Sequence, residues 1–143
     1  MEQVDAQAAW RERRAPDGEM IMFGDGTLVL METWHPVGSS EWDWREIVRA
    51  RQWVSSRWMD VDGAATAVFD GYTALGGEGS WGGIGWAALT APGDQLEWVA
   101  VSTYSNPFSS VALDATTLTA TSTAGFTWRF PRDAPQDVRI VPT

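Results

Sequence analysis

The sequence predicts a mainly β protein, an antiparallel β-sandwich or curled meander, and three observations carry that expectation. Short runs of β-favouring residues recur at intervals of about 8 to 12 residues, the spacing of sandwich strands. Asp-Gly pairs, glycines and prolines punctuate them, at Asp25-Gly26, Asp70-Gly71, Pro92-Gly93-Asp94 and Asn106-Pro107. The clearest run alternates strictly, with Phe126, Trp128 and Phe130 on one side and Thr127 and Arg129 on the other, the period of a half-buried strand.

Taken in order, residues 1–18 place Arg11, Arg13 and Arg14 among acids and alanines. Apolar positions there are too sparse for a packed helix, so this segment is read as a flexible N-terminal arm and residues 19–143 as a single all-β domain. Runs at 20–23 and 27–34 flank Asp25-Gly26, a hairpin signal because that turn needs positive φ. One short helix is expected near residues 41–50, with Ser39 or Ser40 as N-cap and Glu41, Asp43 and Glu46 in its first turns. Trp44, Ile47 and Val48 would share one face of it, and Glu41, Arg45 and Arg49 would follow at i, i+4 spacing. Beyond Arg51 the period shifts to an extended 52–59, and Asp62-Gly63 is read as a turn into a strand over 64–69. The glycine-rich 76–83 is read as a loop feeding a strand at 84–89. Residues 96–102 are apolar on both faces except at Glu97, as a central strand should be. Strands over 109–113, 118–122, 126–130 and 137–141 complete nine or ten.

A chain of 143 residues is long enough for one core, since about 150 residues bury roughly 68–70% of the unfolded surface. It contains no cysteine, so neither disulfides nor cysteine-bound zinc support it. Its polar, acidic start and the lack of any apolar run near the roughly 20 residues of a membrane span lead to the expectation of a cytoplasmic protein. All ten bases are arginine, which excludes lysine Schiff-base chemistry. Net charge is −9, and residues 58–128 hold seven acids and no base. Such a stretch is a poor surface for phosphate, which argues against nucleic acid and anionic membranes as partners. The acidity suits either plain solubility or steering of a basic protein partner.

Motifs for catalysis and cofactors fail on context. Gly77-Glu78-Gly79-Ser80-Trp81-Gly82 fits G-x-G-x-x-G, with Glu97 twenty residues on, yet a β-type run rather than a helix follows and a carboxylate sits among the glycines. Ser80 lacks the preceding glycine of a nucleophile elbow, because Glu78 stands there. His35 is the only histidine and has no identifiable catalytic partner. Asp60-Val61-Asp62-Gly63 resembles part of a calcium loop, but Trp58 and Phe69 would occupy its first and twelfth positions and neither can ligate. No catalytic residue, cofactor or metal is assigned.

The ten tryptophans are the most unusual feature. Trp98 and Trp128 are expected in the core, with Trp53 and Trp86. Trp42, opposite Ile47 on the expected helix, and Trp81, beside Glu78 in the glycine loop, are open to two readings, exposure to solvent or packing back over the core edge. Exposed Trp among acids suits a protein-interface anchor and equally a sugar-stacking platform.

Residues 96–131, LEWVAVSTYSNPFSSVALDATTLTATSTAGFTWRFP, together with the preceding GGEGSWGG, resemble the small acidic bacterial immunity proteins of toxin systems. The resemblance covers roughly the C-terminal half and brings no defining motif, so no residue role transfers through it. It implies inhibition of a cognate toxin by direct contact. The partner-binding residues expected from position and chemistry are Trp42, Asp43, Asp60, Asp62, Asp70, Glu78 and Trp81. A carbohydrate- or small-ligand-binding β-domain using exposed Trp is the alternative, and a carboxylate-based hydrolase the third reading.

Overall fold

The computed structural model describes residues 5–31, 44–49, 58–80 and 83–143, with 44–49 and 64 known by their backbone alone. Among these residues a short helix, α1 (Ala6–Arg11), precedes β1 (Arg14–Pro16), β2 (Met20–Phe23), β3 (Thr27–Met31), β4 (Trp44–Arg49), β5 (Trp58–Asp60) and β6 (Asp62–Phe69). There follow β7 (Tyr72–Glu78), β8 (Gly85–Ala91), β9 (Gln95–Ser102), β10 (Phe108–Leu113), β11 (Thr117–Ser122), β12 (Phe126–Pro131), a single 3-10 turn Pro135–Asp137 and β13 (Arg139–Pro142). The mainly β, antiparallel class read from the sequence is the class observed.

Seven strands form one sheet in the order β4-β3-β2-β9-β8-β7-β6, four form a second in the order β10-β11-β12-β13, and β1 pairs with β5. Alternation along the central strand explains the layering. Trp98 and Ala100 of β9 point to one face, where they meet Phe108, Leu118, Trp128, Phe130 and Ile140 of the four-stranded sheet. Val99 and Val101 point to the other, against Ala6, Trp10, Ala15, Met59 and Trp86. The large sheet is therefore covered on both sides, which is why 96–102 reads apolar on both faces except at Glu97.

The three-residue turn Gly24–Gly26 closes the β2–β3 hairpin with φ of 89° at Gly26, and the two-residue turn Asp70-Gly71 closes β6–β7 with φ of 50° at Asp70 and 82° at Gly71. Glycine and aspartate tolerate that left-handed geometry better than other residues.

Several expectations are corrected. The short helix lies at Ala6–Arg11, and 44–49 is a strand whose Val29↔Ile47 and Leu28↔Val48 register completes the edge of β3. Edge amides and carbonyls of β3 need partners, and β-branched Ile47 and Val48 suit a strand, so pairing overrides the helical spacing. Residues 5–16 are not a loose arm. Asp5 caps α1 by accepting from the Gln7 N–H at 2.9 Å, and Trp10 is completely buried. Gln7 donates to the Leu96 and Gly24 carbonyls and accepts from the Leu96 N–H at 2.8 Å, so it ties α1 to the start of β9. Asp62-Gly63 is no turn but the beginning of β6, with a bulge between Gly63 and Ala65. Gly76 and Gly77 belong to β7 rather than to a loop.

Candidate functional site

The start of β6 and the end of β7 lie side by side, with Asp62 opposite Glu78 and Gly63 opposite Gly77. Directly opposite residues of an antiparallel pair project to the same face. Here the two residues lie beside the start of β10. Asp62, Glu78, both glycines, Pro107 and Phe108 line a cleft of about 290 Å³. Asp62 and Glu78 are exposed, whereas Phe108 is buried and gives the cleft an apolar floor.

The opposite face is held by Trp86. Its indole N–H donates to the Asp62 carbonyl at 3.1 Å and to the Glu78 carbonyl at 3.0 Å. That approach requires glycine: a Cβ on Gly63 would come within 2.7 Å of the Trp86 ring, and one on Gly77 would overlap the Asp62 carbonyl. The two acids thus sit on backbone fixed from beneath. Trp86 is in turn packed edge to face against Trp10, with ring centroids 5.9 Å apart.

Of the seven expected site residues, the structure brings Asp62 and Glu78 together. Asp60, exposed at the end of β5, is two residues away in sequence but stands opposite Arg14 of β1, so its charge has a cross-strand counterpart. Asp70 is at the far end of β6, roughly 25 Å from Asp62 at the usual strand rise. Trp42, Asp43 and Trp81 lie outside the described residues.

Phe108 and Pro107 were not expected at the site, because nothing local in the sequence shows that β10 starts beside β7. A second omission was legible. Residues 63–69, Gly-Ala-Ala-Thr-Ala-Val-Phe, are seven consecutive uncharged residues without proline, and such a run on a sheet edge is sticky. In the structure β6 is an edge strand, and Val68 (69% exposed), Phe69 and Tyr104 are the exposed large hydrophobic residues among those described.

One further acid is set apart. Glu19 accepts from both the main-chain N–H and the hydroxyl of Thr103 through Oε1, while Oε2 is buried without a hydrogen-bond partner among the described residues. Burial pushes its carboxyl above the usual range, against the opposing effect of the Thr103 bonds. It clamps the 102–106 loop, where Ser102 Oγ accepts the N–H groups of Tyr104 and Ser105. Among the described residues no three acids or histidines converge as metal ligands, and no helix is long and apolar enough to cross a membrane.

Compared with family models, curated proteins and solved structures, the chain finds no match in any of the three.

Proposed function

We propose that this chain is a protein-binding β-domain that neutralises a cognate bacterial toxin by direct contact, in the manner of an immunity protein. The observation that carries the reading is the Asp62–Glu78 pair above Phe108, in a surface that has no base from 58 to 128. Two carboxylates over an apolar floor suit a basic side chain of the partner, above all arginine, whose planar fork matches carboxylates and whose stem and face pack on aromatic rings. The surrounding negative field would raise the encounter rate with a basic protein, and the filled cleft would slow its departure.

The test is co-purification from the native host with wild-type chain and with Glu78→Gln. A basic protein held in near-equal amount by the wild type, and released at least tenfold faster from the variant, supports the reading. Recovery of no partner, or equal retention by the variant, overturns it.

The same pair favours a second reading, a carboxylate-based hydrolase. That reading requires turnover of a glycoside or ester substrate by the wild type and its loss in Glu78→Gln. Both acids are exposed, whereas the general acid of a hydrolytic pair is kept protonated by an apolar, buried surrounding, so protein binding is the better supported.

A further inference from the structure

We infer that the outer edge of β6 is a strand-addition site, and that its occupant is an extended segment of a basic protein partner with a cation at each end. The inference rests on the protein-binding reading and adds its mode. Strand β6 runs eight residues and pairs only with β7 among the described strands. Because the Asp70-Gly71 turn has two residues, Phe69 and Tyr72 close the hairpin as a hydrogen-bonded pair. Pairing alternates from there, so Thr66 and Val68 direct their main-chain N–H and C=O groups away from β7. Val68 is also the most exposed large apolar side chain among the described residues, and Phe69 beside it is 39% exposed.

Proteins usually blunt such an edge with a lysine, a proline or a covering loop. Residues 63–69 contain none of the charges or prolines that would do so. A bulge interrupts the strand only at its start, between Gly63 and Ala65.

Charge selects the occupant. The uncharged run is bracketed by Asp62 and Asp70, both exposed. A two-fold pairing of β6 with a second copy, centred on Thr66, would set each Asp62 against the other copy's Asp70, between chains each carrying −9. Like charges directly opposite destabilise a ladder. A strand with an Arg or Lys at each end of a short β-favouring middle reverses both contacts. Arg132, stacked on Tyr72 at 4.6 Å near the Asp70 end, is engaged by the Asp114 carbonyl at 2.8 Å.

The experiment uses the full chain and a capped nine-residue peptide of alternating Thr and Val with an Arg at each end, beside a Glu-ended counterpart. Binding is followed by amide hydrogen exchange and by titration at two salt concentrations. The Arg-ended peptide is expected to slow exchange at Thr66 and Val68 at least tenfold, and to lose at least tenfold in affinity against Val68→Lys. Val68→Lys keeps the fold because the side chain is solvent-facing, and its circular dichroism checks that.

Unchanged exchange at Thr66 and Val68, or equal binding of the Glu-ended peptide, overturns the inference. So does a concentration-dependent dimer of the wild type that Val68→Lys abolishes, which would make the occupant a second copy. The two readings separate in the co-purified complex: a partner lost from Glu78→Gln but retained by Val68→Lys leaves the protein-binding function standing and removes strand addition.

Discussion

Trp10 and Trp86 meet edge to face, 76 positions apart in the chain, and neither is exposed to solvent by more than 1%. Trp10 donates its indole N–H to Asp94 at 3.0 Å, and Arg13 lies over its ring at 4.3 Å while pairing with Asp94. Through this contact α1 braces the residue that in turn braces Asp62 and Glu78.

Trp10→Ala should therefore cost about 3–5 kcal/mol of stability, the usual range for removing a buried Trp. Urea denaturation measures it. The Arg13–Asp94 pair is half exposed, and Asp94→Asn, which keeps an acceptor for the indole, should cost no more than about 1 kcal/mol.

Trp86→Phe keeps most of the ring but removes the donor shared by two carbonyls. An unsatisfied buried acceptor costs about 1–3 kcal/mol. The variant should show that loss with an unchanged denaturant slope, together with faster hydrogen exchange around Gly63 and Gly77.

Gly77→Ala should be worse tolerated than its size suggests, because the added carbon meets the rigid Asp62 main chain rather than a movable side chain. Overpacking of this kind costs about 1–3 kcal/mol. Gly125→Ala provides a contrast: nothing lies within 4 Å of its Cβ position, and the penalty there comes only from φ of 89°.

Glu19 sets a pH dependence. Its folded-state carboxyl titrates above its unfolded value of about 4.5 because it is desolvated. The native state then holds the proton more tightly than the unfolded chain, so stability declines as pH rises from about 4.5 through the folded value and levels off above it. Glu19→Gln retains an acceptor for Thr103 and should flatten that decline in melts taken across the window. Asp114 acts oppositely: main-chain N–H groups of Thr116 and Thr117 lower its carboxyl, so its contribution is present above its ordinary value and fades as pH falls through the lowered one.

Much of the fold was legible where local chemistry and tertiary demand agree. Phe126, Trp128 and Phe130 alternate and belong to one core, and Asp70-Gly71 turns as its φ preferences require, while the Gly24–Gly26 turn takes positive φ at Gly26 alone. Legibility failed where a distant partner decides. Residues 44–49 carry helical spacing but lie beside β3, and Trp10 looks isolated until β9 supplies Leu96 and the turn supplies Asp94. At the site, the paired acids could be nominated from charge, but Phe108 joins them only through the stacking of two sheets. The edge exposed at Val68 was present in the sequence as an uncharged run whose meaning depends on having no neighbour.

The link from Gln7 to Leu96 spans 89 positions, and it governs the order of events during synthesis. Helix α1 leaves the ribosome long before the last part of its docking surface, Leu96 at the start of β9, exists. Until β9 emerges, Gln7 lacks its Leu96 partner and Trp10 part of its cover, and at the usual 5–20 residues per second that interval lasts about 4–18 s. A nascent chain stalled before Leu96 should therefore present its N-terminal segment to proteases and chaperones, and one extended past β9 should withdraw it.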